Sequence, residues 1–220
     1  MLLLYAAVAY LPKQEFFDAY QIPGLEAAAN KGDIAAQSEL ANRYYYGIGV
    51  KTSTKEFLKW AHFAASEGDA HAQTLLGYFY MNYTRSHKEG LYWARKAAEQ
   101  QWPRGERFLG WLYSNGIGVE EDPAKAVEWW MKAAEHGDEG SALNLGNYYA
   151  HGSGVPQSYE ESLKWYRVAA KLGSREAKWR VMKYNWNAFW GDEKRAEGAL
   201  SRYDGTWGIF HTPNGGIWKD

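Results

Sequence analysis

The sequence predicts an all-α solenoid, a linear stack of short helix pairs, and three repeating features predict it. A tryptophan recurs every 33 to 36 residues, at Trp60, Trp93, Trp129 and Trp165. A tyrosine recurs upstream at the same intervals, at Tyr44, Tyr80, Tyr113 and Tyr149. Two alanines begin four residues after each tryptophan, as in Ala133-Ala134. A fixed period of this length is typical of helix pairs that bury their apolar faces only by stacking.

Composition narrows the class of protein further. The chain has 220 residues and a net charge of −1 without a basic block, which argues against a nucleic-acid partner. It contains no cysteine, so disulfides, thiolate metal sites and cysteine nucleophiles are excluded. No apolar run reaches the roughly 18 residues that would span a bilayer, so stable membrane insertion is not expected. The 12 tryptophans and 17 tyrosines must then fill a helical core or line a binding surface.

The first helix of each unit, helix A, carries Leu, a small residue and Tyr at helical spacing, as in Leu109, Gly110 and Tyr113. The small residue should let the partner helix approach closely. Three units continue into a Gly-x-Gly-Val turn, at residues 47–50, 116–119 and 152–155. The first glycine of this turn supplies the left-handed conformation that ends a helix. The second unit lacks the turn and has Met81 to Arg85 in its place.

The second helix, helix B, is predicted to begin after an N-cap residue, which is Ser53, Ser86, Asp122 or Ser158. The three serines are followed three residues later by Glu56, Glu89 and Glu161, the spacing of a capping box. The next helix A is predicted to be capped by Asp33, Asp69 or Asp138, whereas Gln101-Trp102 replaces this Gly-Asp junction after the second unit. Periodicity and caps therefore predict the same helix boundaries.

The period continues weakly upstream of the clear repeats, which span residues 33–173. Met1 to Leu11 is expected to be helix A of a degenerate first repeat, and Pro23-Gly24 should interrupt its helix B. Residues 7–9 also have the small-x-small pattern of an export-signal cleavage site, although no basic residue precedes them. Localisation in the cytoplasm or the periplasm depends on which of these interpretations holds.

Downstream, Ser174 to about Trp190 is expected to be a fifth helix A, and residues 192–203 a further helix. Residues 1–203 should thus form one domain. The Gly- and Trp-rich residues 204–220 are expected to form a short non-helical cap or hairpin, which either seals the last repeat or docks a partner.

The repeat pattern resembles the Sel-one-like repeat (SLR) family, a relative of tetratricopeptide repeats. The residues that carry the resemblance best are Ala126, Trp129, Lys132, Ala133, Ala134 and Gly137. The resemblance implies a right-handed α/α superhelical solenoid of about four full repeats that acts as an adaptor without chemistry of its own. Members of this family include bacterial signalling and host-interaction proteins, and immunity proteins that neutralise secreted toxins.

The same resemblance implies which side chains line a concave, partner-binding groove, because these occupy fixed offsets from the small residue of helix A. The first two units give Asn42, Tyr45, Tyr46, His71, Thr74, Tyr78 and Asn82. The remaining units give Arg104, Arg107, Trp111, Asn115, Asn147, His151, Trp179, Lys183 and Trp186. Tyr, Trp and Arg are enriched at binding hot spots, but packing between repeats is the alternative for each aromatic.

The sequence therefore predicts a non-enzymatic adaptor or inhibitor that binds another protein in this groove, with a bacterial immunity protein as one form. No catalytic residue, metal or cofactor is expected. The six histidines include no i, i+4 pair, and the sequence contains neither Gly-x-Ser-x-Gly nor Ser-x-x-Lys. Binding of a glycan or peptidoglycan fragment is the alternative, because aromatic grooves also stack on sugars, and a signalling adaptor is a further role. The partner's identity and the oligomeric state stay open.

Overall fold

The computed structural model describes residues 13–189, with side chains from Ile22 to Tyr184. In this part of the chain every regular element is helical. The α-helices are α1 (Lys13–Asn30), α2 (Ile34–Tyr46), α3 (Thr54–Ser66), α4 (Ala70–Phe79), α5 (His87–Glu99), α6 (Pro103–Asn115), α7 (Pro123–Glu135), α8 (Glu139–His151), α9 (Tyr159–Leu172) and α10 (Arg175–Phe189). A π-helical segment, Tyr80–Thr84, directly follows α4.

The order of packing is that of a solenoid. Each α-helix packs against the next one along the chain, and α4 also contacts α2 and α6. The A helices are thus α2, α4, α6 and α8, with α10 as the fifth, and each of the first four forms a unit with the B helix that follows. The predicted all-α solenoid is confirmed. The predicted elements at residues 1–11 and 192–220 lie outside the described residues.

Most of the predicted caps are present. Asp33, Asp69 and Asp138 accept hydrogen bonds from the backbone N–H three residues later, and so do Ser53, Asp122 and Ser158. Ser86 occupies the predicted N-cap position directly before α5, but its side chain caps no backbone group and its hydroxyl instead donates to the Glu89 carboxylate. The Ser86 hydroxyl therefore accepts from none of the first backbone N–H groups of α5.

At the two irregular helix junctions, a residue other than glycine takes the left-handed conformation. Gly47, Gly116 and Gly152 end α2, α6 and α8 in the left-handed conformation. After α4, the chain runs through the π-helical segment and reaches the same conformation at Arg85, with φ of 55°. After α5, Gln101 takes the left-handed position with φ of 58°. Among the described residues these two are the non-glycine positions with positive φ, a costly choice for a side chain that carries a Cβ.

The predicted break at Pro23-Gly24 is wrong, since α1 continues through both residues. Both are exposed, whereas Ala29 is buried in the core that α1 shares with α2. The Gln37 amide on α2 also donates to the Ala29 carbonyl at 3.1 Å. Tertiary packing of this kind supports a helix in which a proline has removed one backbone hydrogen bond.

The contact between helices A and B of one unit matches small residues with large ones. A Cβ built on Gly110 would lie 2.6 Å from Nε1 of Trp130, and one on Gly146 would lie 2.5 Å from the Tyr166 ring. Trp130 and Tyr166 are among the most deeply buried side chains, and each follows a tryptophan of the repeat. Of the repeat tryptophans themselves, Trp60 is buried, whereas Trp93, Trp129 and Trp165 are half-buried and pack against the core.

Replacing Gly110 by Ala should lower the free energy of unfolding by about 1–3 kcal/mol, because the new methyl group overlaps the Trp130 indole. Gly24→Ala is the matched control, since no atom lies within 4 Å of its Cβ position in α1. That variant should gain about 0.5–1 kcal/mol from helix propensity. Chemical denaturation followed by circular dichroism measures both. Equal effects of the two substitutions would contradict the close contact at Gly110.

Candidate interaction surface on the A helices

A row of aromatic rings crosses the A-helix face, the surface formed by α2, α4, the π-helical segment, α6 and α8. Tyr46 and Tyr83 are its most exposed rings, at 56% and 69%. Tyr45 lies between them, with ring centroids 4.8 Å from Tyr46 and 6.3 Å from Tyr83. Exposed rings that contact one another are typical of a binding surface, because each buries a large area at low conformational cost.

The row continues into a pocket of about 330 Å³ that spans three successive A helices. Its lining consists of Tyr78, Asn82, Arg107, Phe108, Trp111 and Asn144. The ring centroids of Tyr78 and Phe108 are 4.1 Å apart, and Trp111 lies nearly parallel to Phe108 at 6.1 Å. The rings form apolar walls, and two asparagine amides supply hydrogen-bonding groups.

The pocket depends on a glycine of α4, Gly77, which leaves room for the Phe108 ring of α6. A Cβ on Gly77 would lie 2.7 Å from Cε1 of Phe108, so only glycine leaves room for that ring. Ala94 occupies the position that Trp130 and Tyr166 hold in the third and fourth units, and it cannot fill the space over Gly77. Phe108 of the next unit fills it instead and thereby lies against Tyr78.

Arg107 is held in place at the edge of the pocket by Asp138. Its Nη1 atom lies 3.0 Å from Oδ2 and 3.3 Å from Oδ1 of this buried carboxylate. The same carboxylate caps α8 by accepting from the Ser141 N–H at 2.7 Å. Burial raises the pKa of Tyr78, and the Arg107 guanidinium beside it partly offsets that rise. The pocket therefore presents a neutral phenol and a guanidinium whose charge is balanced.

Sequence reasoning placed four lining residues on this surface: Tyr78, Asn82, Arg107 and Trp111. It missed Phe108, Asn144 and the exposed Tyr83. The signal for Phe108 was the pairing of Gly77 with a small residue, Ala94, where other units have a large one.

One predicted contact residue is contradicted by the structure. Thr74 is only 2% exposed, and its hydroxyl donates to the Ala70 carbonyl at 2.8 Å. The offset rule fails here because α4 packs between α2 and α6, and Thr74 points into that packing. It therefore belongs to the core of the second unit and not to an exposed groove.

Several other predicted residues already have intramolecular partners. His71 Nε2 lies 3.3 Å from Asn42 Oδ1, and Tyr166 donates to Asn147 Oδ1 at 2.7 Å. Asn115 donates to the Trp111 carbonyl, and His151 Nδ1 lies 2.7 Å from the Asn147 carbonyl. Of the remaining predicted residues, Arg104 is exposed at the start of α6. Trp179 and Lys183 contact each other on α10. The side chain of Trp186 lies outside the described residues.

The described part of the chain lacks two other kinds of site. No group of three His, Asp or Glu side chains between Ile22 and Tyr184 could hold a metal ion. No helix within residues 13–189 is both long and apolar enough to cross a lipid bilayer.

Asp138 should be important for stability, because its buried carboxylate both caps α8 and anchors Arg107. We expect Asp138→Ala to cost about 2–3 kcal/mol of unfolding free energy, since it removes both interactions. Asp138→Asn keeps a good capping residue and should cost about 1 kcal/mol. Denaturant titrations of the two variants check the difference. If the variants were equally stable, the ion pair would be the only significant contribution.

The Tyr45 phenol should ionise at a higher pH than an exposed tyrosine does. Burial, followed by the nearby phenols of Tyr83, Tyr46 and Tyr78, raises its pKa from 10.0 to about 12. A pKa that is higher in the folded state contributes stability below pH 10, and this contribution is lost as the pH rises through 12. The ring-carbon NMR signal of Tyr45 should therefore titrate near pH 12, and Tyr45→Phe should lose less stability over this range. A midpoint near pH 10 would contradict the burial of the phenol.

Comparison with known proteins agrees with this architecture. Residues 34–69, 70–102, 103–138 and 140–174 each match the family model of the Sel1 repeat. None of the curated proteins compared with the chain matches it.

Two solved structures resemble the chain over most of its length. A Sel1 repeat protein from Oxalobacter formigenes is 30% identical with a TM-score of 0.70, and the match covers 86% of this chain and 79% of that one. A protective antigen of uropathogenic Escherichia coli strains that displays an SLR fold is 34% identical with a TM-score of 0.67. That match covers 84% of this chain, which spans only 40% of the antigen's length.

An immunity protein from Pseudomonas aeruginosa is more distant, at 19% identity and a TM-score of 0.45, over 76% of this chain and 78% of that protein. A similarity at this level does not transfer the role of that protein. The repeat matches cover more than half of the present sequence, and the O. formigenes protein shares the fold over most of both chains. The chain therefore belongs to the Sel1 repeat family.

Proposed function

We propose that the chain is a protein-binding adaptor or inhibitor that holds a segment of its partner against the A-helix face. Sel1 repeats are protein-interaction scaffolds, and the family sets the general class of function. The observation that carries the proposal is the pocket of about 330 Å³ walled by Tyr78, Phe108 and Trp111. An apolar side chain of a partner segment would fill it.

Electrostatics favour an apolar or aromatic group over a charged one as the occupant. The guanidinium of Arg107 is already paired with the Asp138 carboxylate, so the pocket has no unbalanced charge to offer. Asn82 and Asn144 can donate to and accept from the backbone of a bound segment. The combination of aromatic walls with a few polar groups at the edge is typical of binding hot spots.

The choice of binding over catalysis follows from the same side chains. The pocket contains three rings, two amides and one ion-paired guanidinium. Its one hydroxyl group is the Tyr78 phenol, whose pKa is raised by burial, and no lining residue is a base that could activate it. Neutralisation of a secreted toxin is the specific form that the family suggests. A toxin gene adjacent to the gene for this chain would support that form, and a neighbouring kinase gene would instead favour a signalling adaptor.

Trp111→Ala should weaken binding of the native partner by about thirtyfold, because truncating a hot-spot residue costs about 2 kcal/mol. Leu172→Ala is a matched control, since Leu172 and Trp111 are each 40% exposed but Leu172 lies at the end of α9. The immobilised proteins are incubated with lysate of the native cell, and captured proteins are quantified by mass spectrometry. Thermal melts verify that both variants are folded.

Two results would reject the proposal. One is that Trp111→Ala captures every protein that the wild type captures, in the same amounts. The other is that titration with soluble peptidoglycan fragments perturbs the Trp111 indole while no protein is enriched. The second result would favour the glycan-binding alternative, for which stacking on the exposed Trp111 ring is the motive.

A further inference from the structure

A second concave feature lies on the other side of the solenoid, between two B helices. Among the A helices, α4 contacts both α2 and α6, whereas the B helices α3 and α5 leave a cleft of about 710 Å³ between them. Its lining is Lys55, Leu58, Lys59, His62, Phe63 and Ser66 of α3, with Trp93 of α5. None of these residues belongs to the A-helix face.

Phe63 differs in chemistry from the residues at the same position of the second and third repeats. It follows the tryptophan of its unit by three residues; the second and third units have Lys96 and Lys132 at this position, and the fourth has Val168, which packs against the core. Both lysines are solvated, as is usual for an exposed helix position, whereas Phe63 exposes 51% of an aromatic ring. Together with Leu58 and Trp93 it gives the cleft an apolar floor.

Three exposed lysines on the other B helices have acidic partners three residues away, whereas others, such as Lys132 above the Trp129 ring, form no ion pair with a described carboxylate. Lys96, Lys125 and Lys164 lie 3.9, 2.8 and 3.1 Å from carboxylates three residues away. Lys55 and Lys59 form no ion pair with a described carboxylate, although Glu56 stands three residues before Lys59, as Glu161 does before Lys164. The Lys59 ammonium lies instead 4.0 Å above the Trp60 ring.

The remaining titratable groups of the cleft do not neutralise these two charges. His62 bonds the Tyr80 hydroxyl at 3.0 Å, and burial lowers its pKa, so it is neutral at pH 7. On α5, Glu89 bonds Ser86, and Glu99 pairs with Lys96. The cleft therefore combines an exposed apolar floor with two lysine ammonium groups that form no ion pair with a described carboxylate.

We propose that this cleft is a second docking site, for a segment of a partner protein that places an aromatic or large aliphatic side chain next to carboxylates. The apolar side chain packs on Phe63 and Trp93, and the carboxylates pair with Lys55 and Lys59. Charge complementarity selects an acidic segment over a neutral one. The chain would then hold two partners at once, one on each side of the solenoid.

The probe is a capped hexapeptide, Ser-Asp-Phe-Asp-Leu-Ser, titrated into the ¹⁵N-labelled full chain. The assigned indole N–H signal of Trp93 should shift on binding, and the Trp111 indole should not. Replacing both Asp residues of the peptide by Asn should weaken binding about fivefold, because two partly exposed ion pairs are lost. The double variant Lys55→Gln, Lys59→Gln should weaken binding of the acidic peptide by a similar factor.

Phe63→Gln should abolish the shift and leave the fold intact, since the residue is exposed and glutamine is a good helix former. The control variant, Lys171→Gln with Lys178→Gln, removes two exposed lysines of α9 and α10 and should bind like the wild type.

The proposal is overturned if Trp93 does not respond at millimolar peptide, if the acidic and neutral peptides bind equally, or if the control variant weakens binding as much. It is also overturned if the Trp93 signal responds to vesicles of phosphatidylglycerol and phosphatidylcholine but not to the peptide, which would indicate a lipid surface as the ligand. The Trp111→Ala variant should retain peptide binding, so failure here is distinct from failure of the A-helix site.

Discussion

The close approach of helix A to helix B within a unit is the contact on which the solenoid depends. It requires a residue with little or no side chain on helix A, because the facing side chain lies against the backbone there. Gly110 accepts the Trp130 indole and Gly146 accepts the Tyr166 ring, while the first unit has alanine on both helices, at Ala41 and Ala61. Helix pairs of this size bury too little surface to fold alone, so each such contact also determines how the next unit stacks.

The A-helix pocket is a direct outcome of one departure from this scheme. With Ala94 facing it, Gly77 is left with unfilled space, and Phe108 of the following unit enters. The ring thus packs between units and also forms a wall of the pocket with Tyr78. A binding surface built in this way is rigid, since its central ring is fixed by the core.

The order of the helices could be predicted from the sequence, because the repeat period, the helix caps and the glycine turns all indicate the same boundaries. It failed where tertiary packing overrides a local signal. Pro23 breaks helices in general, but α1 is held through it by contacts with α2. Thr74 satisfies the offset rule for a groove residue, yet α4 is packed on both sides and Thr74 is buried. Neither result is visible without knowing which helices touch.

The cleft between α3 and α5 could not be anticipated for a different reason. A sequence pattern identifies Phe63 as an unusual residue for its repeat position, but not that α3 and α5 are separated there. In the A-helix pocket the charge of Arg107 is balanced by Asp138, whereas Lys55 and Lys59 of the cleft form no ion pair with a described carboxylate. The two sides of the molecule thus differ in the chemistry that they offer.

The matching of side-chain sizes has a consequence for how such genes can recombine. A crossover in the linker after helix B moves a glycine together with the ring that covers it, as for Gly146 and Tyr166. A crossover in the turn between A and B would join an alanine-bearing helix to one carrying an indole, and the new protein would contain either a steric overlap or a void. A crossover between the second and third units is also restricted, because Gly77 of one unit and Phe108 of the next must stay in the same protein. Adding or removing whole repeats is therefore under the strictest size constraint where the second unit meets the third.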